Sequence, residues 1–147
     1  MEKMKIYLDN CCFNRPFDNQ VQMKIRLETK AKLCIQASVR DGKYSLCWSF
    51  MLDYENSKNP YEEQRKMIAP WAKIATDFCP PSEAILSHGN EIMKLGIKNG
   101  DALHIACAMA RQCAYFITTD KGLTNKNIEG LNIISPIDFI KEAENLK

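Results

Sequence analysis

Short apolar runs alternate with longer mixed segments along this chain, and the two kinds of segment differ in period. Residues 4–8, MKIYL, are a run of β-favouring types that stops at Asp9 and Asn10, as expected of a buried strand that delivers an acid at its carboxyl end. The segment CCFNRPFDNQ that follows, with Pro16 and two asparagines, predicts a loop. From Met23 to Arg40 the positions Met23, Leu27, Ala31, Cys34, Ile35 and Ser38 fit one helical face. Val21, Met23, Ile25 and Leu27 also alternate as in a strand, and the length of the segment decides for helix. After the Asp41-Gly42 turn, YSLCWSF predicts a second strand, with Glu55 just beyond it at the start of another helix.

Further along, Asn59-Pro60 offers a helix start and Pro70 an interruption. Residues 76–79, TDFC, predict a short strand closed by Pro80-Pro81, then a helix from its cap Ser82 to about Leu95. GDALHIACAMARQ is apolar on nearly every face, which suits a helix buried against a sheet, and Asp101 falls in its first turn. AYFITTD predicts a strand ending at Asp120, NIISP another, and Ile137 to Leu146 a closing helix. Strands separated by helices imply an α/β fold with βαβ crossovers and a mostly parallel sheet covered on both faces. No repeat, low-complexity tract or linker divides the chain, so residues 1–147 are expected to form a single domain.

Composition narrows the class. With 46% hydrophobic and 26% charged residues, disordered and fibrous readings drop out. Seven cysteines, an odd number without a C-x-x-C pair, read as reduced core residues of a cytoplasmic protein. A zinc site on the adjacent Cys11 and Cys12 lacks ordinary ligand spacing. The first residues hold only a short apolar run before a charge, and no later segment reaches about 18 uncharged apolar residues, so no signal peptide or membrane span is expected. The net charge of +2 is unevenly spread: 13 Lys and Arg face 9 Asp and Glu up to residue 75, and 7 face 9 beyond it. The excess suits either a solvated mixed surface or a basic RNA-facing one.

The chemistry rests on four dispersed acids. In an open parallel sheet, ligands bind outside the carboxyl ends of the strands. Asp9 and Asp120 follow directly on apolar strands and Glu55 lies a few residues past another, so these positions converge. Asp101 arrives at a helix N-terminus, where free N–H groups and the helix dipole favour a carboxylate. Taken singly, each is also an ordinary cap, turn or surface acid. Gathered without a cation they would repel and raise one another's pKa, so together they point to a bound cation. Oxygen donors with no matching His or Cys favour Mg²⁺ or Mn²⁺ over zinc. His104 shares a helical face with Asp101 and reads as a packed residue with a hydrogen-bond partner. Trp48 reads as core. Arg15 and Lys121, next to Asp9 and Asp120, are candidate phosphate contacts.

The stretches LDN after the first strand, SFMLDYE, GDALHIACAMA and ITTDKGL resemble, in order and spacing, the acidic motifs of PIN domains, over essentially the whole chain. The resemblance implies a three-layer α/β/α fold and a Mg²⁺- or Mn²⁺-dependent endoribonuclease, frequently the toxin of a toxin–antitoxin pair. Asp9, Glu55, Asp101 and Asp120 would be its metal-binding and catalytic acids. Thr118 would be the supporting hydroxyl, grouped with Arg15 and Lys121 on the substrate side. It further implies RNA as substrate, an antitoxin as protein partner and a tendency to homodimerise. Two features depart from the pattern. Gly122 stands where many relatives carry a further acid, and the loop after Asp9 is longer and more distinctive than usual. Two other functions are compatible with the residues: an inactive PIN-like protein-binding module, and a Mg²⁺-dependent phosphoryl-transfer α/β protein. The second lacks a Gly-rich phosphate loop after the first strand.

Overall fold

A computed structural model describes residues 3–145. Five strands, β1 (Met4–Leu8), β2 (Tyr44–Ser49), β3 (Asp77–Cys79), β4 (Tyr115–Ile117) and β5 (Asn132–Ile134), form one sheet in the order β3-β2-β1-β4-β5. Every ladder is parallel. The chain builds outward from β1 through β2 to β3, then returns to the other side of β1 for β4 and β5. The order therefore reverses between β1 and β4, and the crevice at their carboxyl ends is the topological switch point where such sheets bind ligands. Asp9 N–H donates to the Ile117 carbonyl at 2.9 Å, so the ends of β1 and β4 are pinned together there.

The helices are α1 (Asn10–Asn14), α2 (Met23–Arg40), α3 (Phe50–Ser57), α4 (Glu62–Ile68), α5 (Trp71–Ile74), α6 (Glu83–Met93), α7 (Asn99–Ala110), α8 (Lys121–Thr124) and α9 (Pro136–Asn145). They cover both faces of the sheet. On one face, Tyr44 and Tyr115 meet Phe139 of α9 edge-on, and Trp48 meets Phe13. On the other, Tyr7 stacks on Phe116 with centroids 5.2 Å apart and turns its edge to His104 of α7. With both faces dry, the central strands read as continuous apolar runs, and Ile6, Tyr7, Leu8, Leu46, Cys47 and Phe116 have no exposed surface. The result is the three-layer α/β/α fold expected. Among the described residues, no helix is long and apolar enough to cross a membrane.

All five predicted strands are present, and α2 spans the residues expected. Its buried face does not. Glu28, Ala31, Lys32, Ile35, Gln36 and Val39 point inward, while Met23, Leu27 and Cys34 are exposed. The inward polar groups have local roles that a purely apolar face could not show: Glu28 lies 3.3 Å from Arg15 Nε, and Lys32 sits over the Phe13 ring. The segment after β1 is not a loop. Asp9 caps α1, and a 3₁₀ turn over Arg15–Phe17 follows with Pro16 near its start, where a missing N–H costs nothing. β2 ends at Ser49, one residue earlier than predicted, because the Ser49 hydroxyl accepts the Leu52 N–H at 3.2 Å and starts α3. Glu55 is consequently within α3 rather than at its start. α4 begins at Glu62, two residues past Pro60, behind a turn in which Asn59 Oδ1 accepts the Tyr61 N–H. Likewise β4 stops at Ile117 and leaves Thr118–Asp120 to turn into α8.

The helix from Ser82 ends at Met93 and α9 runs to Asn145; Leu146, the last residue of the predicted closing helix, lies outside the described residues. α7 closes with Gln112 in the left-handed region (φ 58°). Its N–H bonds the Met109 carbonyl and the Cys113 N–H bonds that of Ala108, the paired arrangement that satisfies a helix C-terminus before a strand.

Candidate metal centre

Each end of the switch point is built from a short cap. Asp9 takes the Asn10 N–H on Oδ1 at 2.8 Å and the Thr118 hydroxyl on Oδ2 at 2.9 Å. Thr118 in turn accepts the Asp120 N–H at 3.1 Å. Thr118 has no exposed surface, so it orients the two acids rather than meeting a substrate. Asp120 caps α8 by accepting the Gly122 N–H at 2.8 Å on Oδ1. A Cβ at position 122 would sit 3.1 Å from that oxygen, so glycine leaves room for the carboxylate to turn back onto its own helix.

Glu55 comes from α3 and His104 from α7. The His104 Nε2 contacts Glu55 Oε1 and lies 3.9 Å from Asp9 Oδ1, and ligand atoms of Asp9, Glu55 and His104 all fall within 4.8 Å of one another. The expectation of a site without histidine is therefore incomplete. His104 is buried, and the apolar helix that hides it among core residues in the sequence is the same one that aims its ring at the acids. Its spacing of three from Asp101 was the one signal available. Asp101 stands in the first turn of α7 with Lys98, not itself, at the cap.

The acids act on one another through space. Burial raises the Asp101 carboxyl above the ordinary aspartate value, and Asp9, Asp120 and Glu55 push it the same way while His104 opposes them. For His104, burial disfavours the charged ring, yet the bond to Glu55 and the charges of Asp9, Glu55 and Asp101 outweigh it and raise its pKa. Two carboxylates and an imidazole from three different elements match the donor set of a divalent cation. Glu55 opens on a cleft shared with Asn10, Asn14 and Lys58, and Asp101 and Asp120 on a second with Lys98 and Lys126. These three lysines went unnoticed in the sequence because nothing local distinguishes them from surface cations.

The predicted phosphate contacts fare differently. Lys121 is exposed beside Asp120. Arg15 is engaged by Asp18 at 3.0 Å, and its Nε faces Glu28 at 3.3 Å without the alignment of a hydrogen bond. It fastens the 3₁₀ turn to α2. Trp48 is core, donating to Asp53 at 2.7 Å, and Trp71 is buried beneath Arg40.

No protein-family model and no curated protein matches the sequence. Among solved structures the chain is similar to FitAcB from Neisseria gonorrhoeae, at 14% identity and a TM-score of 0.57 over 89% of this chain and 97% of that one. It is also similar to VapBC2 from Rickettsia felis bound to a DNA fragment from their promoter, at 15% identity and a TM-score of 0.57 over 88% of this chain and 97% of that one. At such identities the likeness is one of fold, and it agrees with the motifs of the sequence, so the chain has the fold of the PIN domains.

Proposed function

We propose that this protein is a divalent-metal-dependent endoribonuclease whose site is formed by Asp9, Glu55, Asp101 and Asp120. The observation that carries the reading is the meeting of Asp9 from the end of β1, Glu55 from α3 and His104 from α7 within 4.8 Å of one another, with Asp101 and Asp120 lining a neighbouring cleft. There burial raises the Asp101 carboxyl, and the charges of Asp9, Asp120 and Glu55 push it the same way. A cation held there, Mg²⁺ or Mn²⁺, would supply Lewis acidity toward a phosphodiester and a water of lowered pKa. Asp9 is aimed by Thr118 and the Asn10 N–H, and Asp120 by the Gly122 N–H, so neither needs to reorganise when substrate arrives. Lys98 and Lys126 line the cleft of Asp101 and Asp120, Lys121 is exposed beside Asp120, and the three would fix the RNA backbone without reading its bases. Hydrolysis by this route leaves a 5′ phosphate and needs no side-chain nucleophile.

The two structural neighbours are toxin–antitoxin complexes, which supports a toxin role under the control of an antitoxin, in the cytoplasm. Val21 just before α2, Met23 and Leu27 at its start, and Tyr61 and Met67 around α4 are exposed and offer apolar surface to an antitoxin segment or to a second copy of the chain. The test is to incubate purified, partner-free protein with structured and single-stranded RNAs in Mn²⁺ or Mg²⁺, with EDTA and an Asp101→Asn variant as controls. Cleavage is expected to need both metal and aspartate, with Asp101→Asn reducing the rate by about 10²-fold or more, in line with loss of a charge-stabilising group. If wild type and variant are equally inert on every RNA, the nuclease reading fails and a protein-binding role takes its place.

A further inference from the structure

His104 is held from behind by a chain of hydroxyls. Its Nδ1 lies 2.5 Å from the Tyr7 hydroxyl, which lies 2.6 Å from Ser49 Oγ. Ser49 Oγ also accepts the Leu52 N–H. Both hydroxyls can rotate, so the chain serves either neutral tautomer of the ring. With the proton on Nε2, that N–H donates to Glu55, Tyr7 donates to Nδ1 and Ser49 donates to Tyr7. With the proton on Nδ1, the ring donates to Tyr7 and Tyr7 donates to Ser49. Going from the first state to the second moves one proton from Nε2 to solvent and one from solvent to Nδ1, and the links from Nδ1 through Tyr7 to Ser49 stay hydrogen-bonded. In the second state the Nε2 lone pair faces Glu55 and Asp9, a repulsive arrangement unless a cation stands between them.

We infer that His104 is a metal ligand through Nε2, alongside Asp9 and Glu55, and that the centre therefore prefers a divalent first-row transition ion to Mg²⁺. A cation bonded at about 2.1 Å holds adjacent ligands roughly 3 to 4 Å apart, and the 3.9 Å between His104 Nε2 and Asp9 Oδ1 is of that size. Imidazole suits transition ions, whereas Mg²⁺ favours oxygen donors and retained water. A hydrogen bond on the far nitrogen of a ligating histidine fixes its tautomer and strengthens it as a donor. Here that partner is Tyr7, stacked on Phe116 and without exposed surface.

The inference rests on the metal-dependent reading above, and binding of the ion without RNA tests it separately. Pulsed electron paramagnetic resonance of wild-type protein loaded with Mn²⁺ alone is expected to show coupling to an imidazole ¹⁴N. His104→Gln should abolish that coupling and weaken Mn²⁺ binding by about 10- to 100-fold, with Mg²⁺ affinity changed far less. Tyr7→Phe, which keeps the stacked ring, should retain the ¹⁴N coupling while weakening Mn²⁺ by about tenfold. Wild-type protein that takes up Mn²⁺ without ¹⁴N coupling, or takes up none, overturns the inference, and so does a folded His104→Gln variant with wild-type Mn²⁺ affinity. Where His104→Gln does not fold, the wild-type spectrum decides alone. Imidazole coupling without cleavage of any RNA leaves the ligand assignment standing and overturns the nuclease reading. Cleavage by His104→Gln with an undiminished response to limiting Mn²⁺ does the reverse.

Discussion

Lys32 shows how much of this chain's chemistry lies in single side chains that the pattern of apolar positions hides. It sits on the inward face of α2, almost without exposed surface, its amine 5.8 Å from the centroid of Phe13. Burial lowers its pKa to about 8. Between about pH 8 and the ordinary lysine value the unfolded chain binds this proton more readily than the folded one, so the stability of the native state rises with pH through that window. Below it, the charged amine is a standing cost of about 3 kcal/mol. Lys32→Met, which keeps the length of the side chain, should raise stability by about that amount at pH 7, and the gain should shrink toward pH 10. Urea unfolding of both proteins at the two pH values reads the difference directly, and a loss of stability at pH 7 would show that the amine has a favourable partner. Neither Lys32 nor its neighbour Glu28 could be placed inside from the sequence. A charged residue on a helix is ordinarily solvated, and the partners that draw these two inward come from the segment after Asp9.

Elements were legible where one physical signal dominated. The five strands announced themselves as apolar runs because both faces of a parallel sheet are dry, and α7 because it is apolar on almost every side. Boundaries failed where a side chain competes with the backbone: Ser49 ends β2 by capping α3, and Asp9 starts a helix in a segment whose Pro16 and asparagines suggested a loop. At the opposite end of the sheet from the acids, β3 is tied to its neighbours by charge. Asp77 accepts from Lys5 of β1 at 2.6 Å and from Arg111, at the end of α7, at 2.6 Å and 3.1 Å. Partial burial disfavours its charge, but these bonds outweigh it and hold its carboxyl down to about 2. An acid with a depressed native pKa contributes stability that is fully present above its unfolded value near 4 and is lost as pH falls through about 2. Asp77→Asn should therefore destabilise the protein by about 1 kcal/mol at neutral pH, allowing for screening of the half-exposed cations. The gap between variant and wild type should close between about pH 4 and pH 2. A gap that stays constant across that range in acid titrations of unfolding would remove the charge from the explanation.

Across the whole molecule, the candidate site was legible as chemistry and not as geometry. Four acids at strand ends and a helix start pointed to one crevice, because a parallel sheet has only one carboxyl edge. That His104 would reach Glu55 across 49 positions, or that Arg15 would turn away toward Glu28, depends on how α3, α7 and α2 pack, which no local pattern encodes. The assembled crevice sets function against stability. Without a cation, Asp101 is held near three other carboxylates and its charge is opposed by burial. A group whose native pKa is raised lowers stability as pH climbs past its unfolded value. Asp101→Asn keeps the shape and removes that charge, so in EDTA at pH 7 the variant should be at least as stable as wild type. The favourable placement of the acid in the first turn of α7 offsets part of the gain. In Mn²⁺ the order should reverse, since an ion that binds only the native state adds RT ln(1 + [L]/Kd), about 2.7 kcal/mol at a hundredfold excess over Kd, and the variant has lost one of the charges that attract it. Thermal melts of both proteins in EDTA and in Mn²⁺ give the four values required. If the two curves keep the same order in both buffers, the acids are not arranged around a cation, and the crevice is a surface feature of the fold.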